Sequence, residues 1–224
     1  MRDGFVYEDT GLRNYEKRHG NFEATVKGAI CTVLNAYFLR NIANDAKKST
    51  LLGFTARTIA AVLAADLGLY MGHMYLDLAK VKGNGTLLDR ARCAFKKHHD
   101  DPTDYVDAPL SYVILIALPA MIGFASLSMF TENSKLKSMY SVLGISTCLG
   151  PLAHKYAHQR NHEKDIPGIV RILQDIGFLI TPSQHRKHHE IPDNFGNWGF
   201  FLNFANVVMH PFEEKMHAMW KSRQ

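Results

Sequence analysis

The sequence predicts an all-α, integral membrane bundle of three to four crossing helices, with further helices lying at the interface. Three observations predict it. Residues 108–130 (APLSYVILIALPAMIGFASLSMF) run for 23 residues without a charge, and about 20 apolar residues suffice to cross the hydrocarbon core. Residues 54–79 form a second apolar segment of crossing length. Eight of the twelve histidines gather in four groups beside such segments.

At 224 residues, 46% of them hydrophobic, the chain is most economically one domain. Residues 1–53 read as an N-terminal tail with a first membrane or interfacial helix, 54–218 as the histidine-bearing domain, and 219–224 as a tail. The net charge of +5 suits an anionic lipid surface. No basic run interleaved with aromatics points to nucleic acid, so no nucleic-acid partner is expected. Cys31, Cys93 and Cys148 are far apart and odd in number, which fits neither a CxxC metal pair nor a disulfide framework. The charged first 20 residues lack the apolar core of a secretory signal.

In chain order, residues 1–22 read as a polar lead-in. Residues 24–43 are mostly apolar, with Lys27 and Arg40 flanking a short clean core, which fits a crossing or an interfacial helix. In 54–79, Asp66, His73 and Asp77 are spaced by seven and four, so all three share one helical face. Ionisable residues at membrane depth face a partner or a wet site. The loop 80–107 is rich in Lys and Arg, which places it on the cytoplasm-like side. It holds a GNGT turn at 83–86 and a helix-like stretch that ends at His98 and His99 before Pro102. Segment 108–130 crosses away, and 138–158 returns and ends at His154 and His158. That count brings all eight histidines to one face. Residues 159–183 contain an amphipathic run at the surface, and 195–212 lie at the interface or pack over the site.

The histidine spacings are those of metal ligands. HxxxH (His154, His158) puts two imidazoles one turn apart, and HxxHH (His185, His188, His189) puts three on one side of a helix. With His73, His98 and His99 they make eight candidate ligands, too many for one zinc, which takes three or four. They fit two metal ions with open positions for O2, and non-haem iron is the natural choice for O2 chemistry. Axial haem ligation is the competing use, and it leaves HxxHH unexplained. A bound imidazole gives its second N–H to a carboxylate or carbonyl, and Asp66, Asp77 and Asp175 are the candidate acceptors. His19, His162, His210 and His217 read as surface or packing residues.

AADLGLYMGHMYLD (64–77), FKKHHDDPT (95–103), LAHKYAH (152–158) and LQDIGFLITPSQHRKHH (173–189) together resemble the lipid desaturase domain family, in family order, across 60–218. That family includes the plasmanylethanolamine desaturases and the plant plastid desaturase acting on palmitate of phosphatidylglycerol. The family's HWxxD reads His73-Met74-Tyr75-Leu76-Asp77 here, without the tryptophan. Gly177 and Gln184 stand where the plasmalogen branch has histidines, which brings the chain nearer the plastid branch; Asp193-Asn194 echoes that branch in part. The resemblance implies O2-dependent desaturation of a lipid acyl or alkyl chain by two irons. It also implies a lipid substrate and a cytochrome b5 or ferredoxin electron donor. Endoplasmic reticulum, plastid and bacterial membranes all fit. The alternatives are a di-iron lipid hydroxylase and, in a different class, a membrane haem- or metal-binding electron carrier or transporter.

Overall fold

The structure, a computed structural model, describes residues 15–82, 86–190 and 196–222. Residues 1–14 of the lead-in, 83–85 of the GNGT turn, and Asp193-Asn194 lie outside the described residues. The bundle is built on helix α7 (Ser134–Asn161), which packs against α1 (Tyr15–Lys48), α2 (Leu51–Leu78), α4 (Thr103–Asp107), α5 (Leu110–Leu115), α6 (Leu118–Phe130) and α9 (Pro182–Glu190). The remaining helices are α3 (Leu87–Asp100), α8 (Gly168–Asp175) and α10 (Phe204–Lys221). Among the described residues β-pairing is limited to one isolated bridge, Leu179 to Leu202.

α7 accepts so many neighbours because most of its buried residues are small: Ser138, Ser141, Gly144, Ser146, Cys148, Gly150, Ala153 and Ala157. Small residues let helix backbones approach closely. At Gly144 the approach is tightest, since a Cβ there would lie 2.4 Å from the Phe38 ring of α1. Polar side chains tie the same helices together. Asn41 Nδ2 donates to Ser141 Oγ at 3.1 Å and to Ser128 Oγ at 3.2 Å. The α1–α2 corner is fixed by Arg57, whose guanidinium donates to Asp45 at 2.8 Å.

α2 starts at Thr50, whose hydroxyl accepts from Gly53 N, a side-chain cap on an otherwise orphaned donor. Among the described helices it alone combines the length and hydropathy to cross a bilayer. α7 is 28 residues long but less apolar, and α6 is apolar but has 13 residues. The charge-free run expected as one helix over 108–130 is divided into α5 and α6, with a turn at 116–117. Pro119, in the first turn of α6, is the physical cause: it lacks an N–H and its ring collides with the carbonyl four residues back. Of residues 195–212, the described stretch 196–202 follows the second of the two expectations, inward packing. From Gly196 to Leu202 the chain packs inward, burying Trp198, Phe200, Phe201 and Leu202, and only then enters α10.

Candidate metal centre

Four helices bring their histidines to one place. α2 contributes His73 and Asp77, one turn apart. α3 contributes His98 and His99 from its last turn, α7 contributes His154 and His158, and α9 contributes His185, His188 and His189. These nine side chains form two groups, and within each the ligand atoms all lie within 4.8 Å of one another. The five-histidine site consists of His98, His154, His158, His185 and His189. The aspartate site consists of His73, Asp77, His99 and His188. Seven of the nine are buried, with His99 and His189 half-buried.

Each HH doublet divides between the sites, so HxxHH does not act as one three-pronged unit. Adjacent residues on a helix point about 100° apart, whereas residues four apart point the same way. Hence His154 pairs with His158, His185 with His189, and His73 with Asp77, while His98 and His99 part company. The two sites adjoin, and the rings of His98 and His99 have centroids 4.3 Å apart.

The donor atoms are spaced for cations. In the five-histidine site, the Nε2 atoms of His154, His158 and His185 form a triangle with edges of 3.2, 2.8 and 3.0 Å, and His189 Nε2 lies 3.0 Å from His185 Nε2. A neutral imidazole nitrogen is either a donor or an acceptor. Three atoms of two kinds must include one like pair, so hydrogen bonds cannot satisfy the triangle. A metal–nitrogen bond of about 2.1 Å puts ligands about 3.0 Å apart at right angles, against about 3.4 Å in a tetrahedron. The observed edges fit the right-angled arrangement, and five donors exceed a tetrahedral shell.

In the aspartate site the proton positions follow from the partners. His73 Nδ1 donates to the Trp198 carbonyl and His188 Nδ1 to the Gly196 carbonyl, both at 2.8 Å. A carbonyl only accepts, so each neutral ring has spent its one N–H. The bare Nε2 atoms then face Asp77 Oδ2 at 3.1 and 3.3 Å, and His99 Nε2 lies 3.1 Å from Asp77 Oδ1. His73 Nε2, His188 Nε2 and Asp77 Oδ2 are buried without a hydrogen-bond partner among the described residues. Lone pairs turned towards a carboxylate repel one another unless a proton or a metal ion stands between them. The donor set fits a hard or intermediate metal such as iron or zinc.

Burial comes first, then the surrounding imidazoles, in holding His98 and His185 well below the usual histidine range. For His188, burial takes the value down to about 4 against the raising effect of Asp77. Neutral imidazole is the metal-binding form. Aromatic rings close the centre: Tyr105 packs on His98 and His154 at 5.2 and 4.5 Å, and Phe200 packs on His73 and His154 at 5.2 Å each. Tyr105 is held by a residue whose role spacing did not reveal. Lys155, buried between the two histidines of HxxxH, donates to the Tyr105 and Val106 carbonyls at 2.6 and 2.7 Å.

Asp77 thus lies among the candidate ligands themselves. Asp66, seven residues before His73, is buried and accepts from the backbone N–H groups of Leu202 and Ala205, both at 2.8 Å. Asp175 is exposed and paired with Arg160 at 2.7 Å. Gln184 caps α9. Its Oε1 accepts from Thr181 N at 3.0 Å while Thr181 Oγ1 accepts from Gln184 N at 3.3 Å, a reciprocal capping box. Gly177 has φ +73°, a backbone conformation unfavourable to a histidine. His162 and His210 are exposed and His217 is half-buried.

Two adjoining imidazole-rich donor groups inside a helical bundle with a membrane-length apolar helix define a class: helical proteins with histidine clusters that could bind metal. The chain matches the lipid desaturase domain family over residues 61–214, and it belongs to that family. It is also similar to fatty acid desaturase 4-like 1, chloroplastic, of Arabidopsis thaliana, with 28% identity over 158 residues, covering 66% of this chain and 52% of the relative. The chain therefore spans about half the length of that relative. No solved structure matches the chain. Family membership suggests a desaturase-type function in lipid metabolism, which is oxidoreductase chemistry.

Proposed function

We propose that the chain is a membrane-embedded desaturase that introduces one double bond into a phospholipid acyl chain. It uses two non-haem irons, O2, and electrons from a separate protein of the cytochrome b5 or ferredoxin class. The observation that carries this reading is the pair of adjoining donor groups, each with buried ligand atoms that hydrogen bonds cannot satisfy. Iron bound there would supply, from O2, the oxidising power that an unactivated C–H bond requires. In the net change two hydrogens leave adjacent carbons. With two electrons and two protons from the donor side, O2 becomes two waters.

The side chains have separable tasks. His98, His154, His158, His185 and His189 hold one ion, and His73, Asp77, His99 and His188 hold the other. Tyr105, Trp198 and Phe200 exclude water from the centre. α2 crosses the bilayer, together with the α5–α6 unit and α7. The exposed apolar side chains Ile122, Leu127, Met129 and Phe130 of α6 and Ile169 and Ile172 of α8 suit a lipid environment. All eight histidines then stand on the cytoplasm-like face, at interfacial depth. A chain still joined to its headgroup offers its first few carbons at that depth. An acyl chain is favoured over an ether-linked one by the similarity to a fatty acid desaturase and by Gly177 and Gln184.

Mass spectrometry of lipids with derivatised double bonds, from cells with and without the gene, tests the reading. The expected product carries one new double bond near the headgroup end of an acyl chain. A mid-chain bond contradicts the interfacial site, and a hydroxylated chain replaces desaturation with hydroxylation.

A further inference from the structure

We infer that the strap formed by residues 196–202 sets by hydrogen bonds the rings of the aspartate site and not those of the five-histidine site, which it meets through the packing of Phe200 on His154, and that Asp66, Asn206 and Glu213 are positioning residues acting through it. The inference rests on the two-metal reading proposed above. Two strap carbonyls, of Gly196 and Trp198, orient His188 and His73, and both rings belong to the aspartate site. No ligand of the five-histidine site has a hydrogen bond to the strap among the described residues.

The strap has almost no regular pairing of its own. Ile180 N donates to the Phe201 carbonyl at 3.1 Å, and side chains from two helices fix the rest. Glu213 Oε1 accepts from Asn197 N at 3.0 Å and from the Tyr70 hydroxyl at 2.8 Å. Asn206 accepts from Gly199 N at 2.7 Å and donates to the Gly199 carbonyl at 3.3 Å. Asp66 holds the exit of the strap through Leu202 N and Ala205 N. Gly196 and Asn197 have φ +84° and +52°, and this left-handed turn aims the two carbonyls at their rings. A Cβ on Gly199 would meet Asn206 Oδ1 at 2.7 Å, so the strap lies directly on its clamp.

Packing alone does not call for this chemistry. Asp66, Asn206 and Glu213 are all buried, and burying a carboxylate is costly unless it is fully bonded. Their bonds converge on the one backbone segment that sets two ring orientations. Outer partners of this kind change metal affinity by about 10–100-fold.

The test is iron content per chain in full-length protein purified in detergent and dialysed against a chelator, with Mössbauer spectra of each sample. Wild type should retain two irons. Glu213→Ala and Asn206→Ala should retain one, with the spectrum of the five-histidine site unchanged and helix content preserved. Glu213→Gln keeps the acceptor and should restore the second iron. Retention of two irons in Glu213→Ala, or equal loss of both, overturns the inference. A wild type that never holds a second ion overturns the two-metal reading and this inference together.

Discussion

The two halves of the centre are built differently, and the difference separates what helix packing can do from what it cannot. The five-histidine site is made of imidazoles alone, from α3, α7 and α9, four of them buried. The second ring nitrogens of His98, His185 and His189 have no hydrogen-bond partner among the described residues, so helix packing sets those rings. The aspartate site has four donors, one of them charged, and two of its rings are set by backbone carbonyls outside any helix. One site is rich in ligands and poor in outer bonds; the other is the reverse. A carboxylate also lowers the charge of its site by one unit relative to the all-imidazole site, so two identical ions would not behave identically.

The largest effect expected is from His188→Ala. It removes one candidate ligand, the ring held by Gly196, so turnover should vanish while the protein stays folded in membranes and keeps one iron. Wild-type activity in this variant would remove HxxHH from the metal role. A sharper comparison sets Asp77→Ala beside His98→Ala. The aspartate site falls to three donors and loses its charge, whereas the five-histidine site keeps four imidazoles. Metal titration should show the greater loss of affinity in Asp77→Ala, and an equal loss would erase the distinction drawn between the sites.

Much of the centre was legible in the sequence because helical periodicity governs it. Spacings of four predict which histidines share a face, and His73 with Asp77, His154 with His158, and His185 with His189 follow that rule. Which faces meet is a matter of tertiary packing, so the division of each HH doublet was not legible. The strap was less visible still, because a backbone carbonyl belongs to every residue and leaves no signature. Its only traces are the glycines of Gly196-Asn197-Trp198-Gly199. Asp66 reads as a partner for imidazole on hydropathy grounds, yet its bonds go to the strap. The charge-free run 108–130 misled as a single helix because composition hid the effect of Pro119.

Smaller effects test the scaffold the two sites share. Thr181→Ala removes the cap of α9, which carries ligands of both sites. Thermal unfolding should show a loss of about 1 kcal/mol, with iron content of the two sites falling together if at all. Loss from one site alone would show that α9 does not serve both. The smallest effect is expected from His217→Ala, outside the centre, where turnover and iron content should match wild type; a loss of iron there would add a ligand that neither donor group contains.

The most direct test of the central claim is metal analysis of the wild-type protein, with optical and Mössbauer spectra of the same sample. Two unlike centres predict two irons per chain, two unequal Mössbauer signals of equal area, and no Soret band. One stoichiometric zinc with negligible iron, or a haem spectrum, would contradict it.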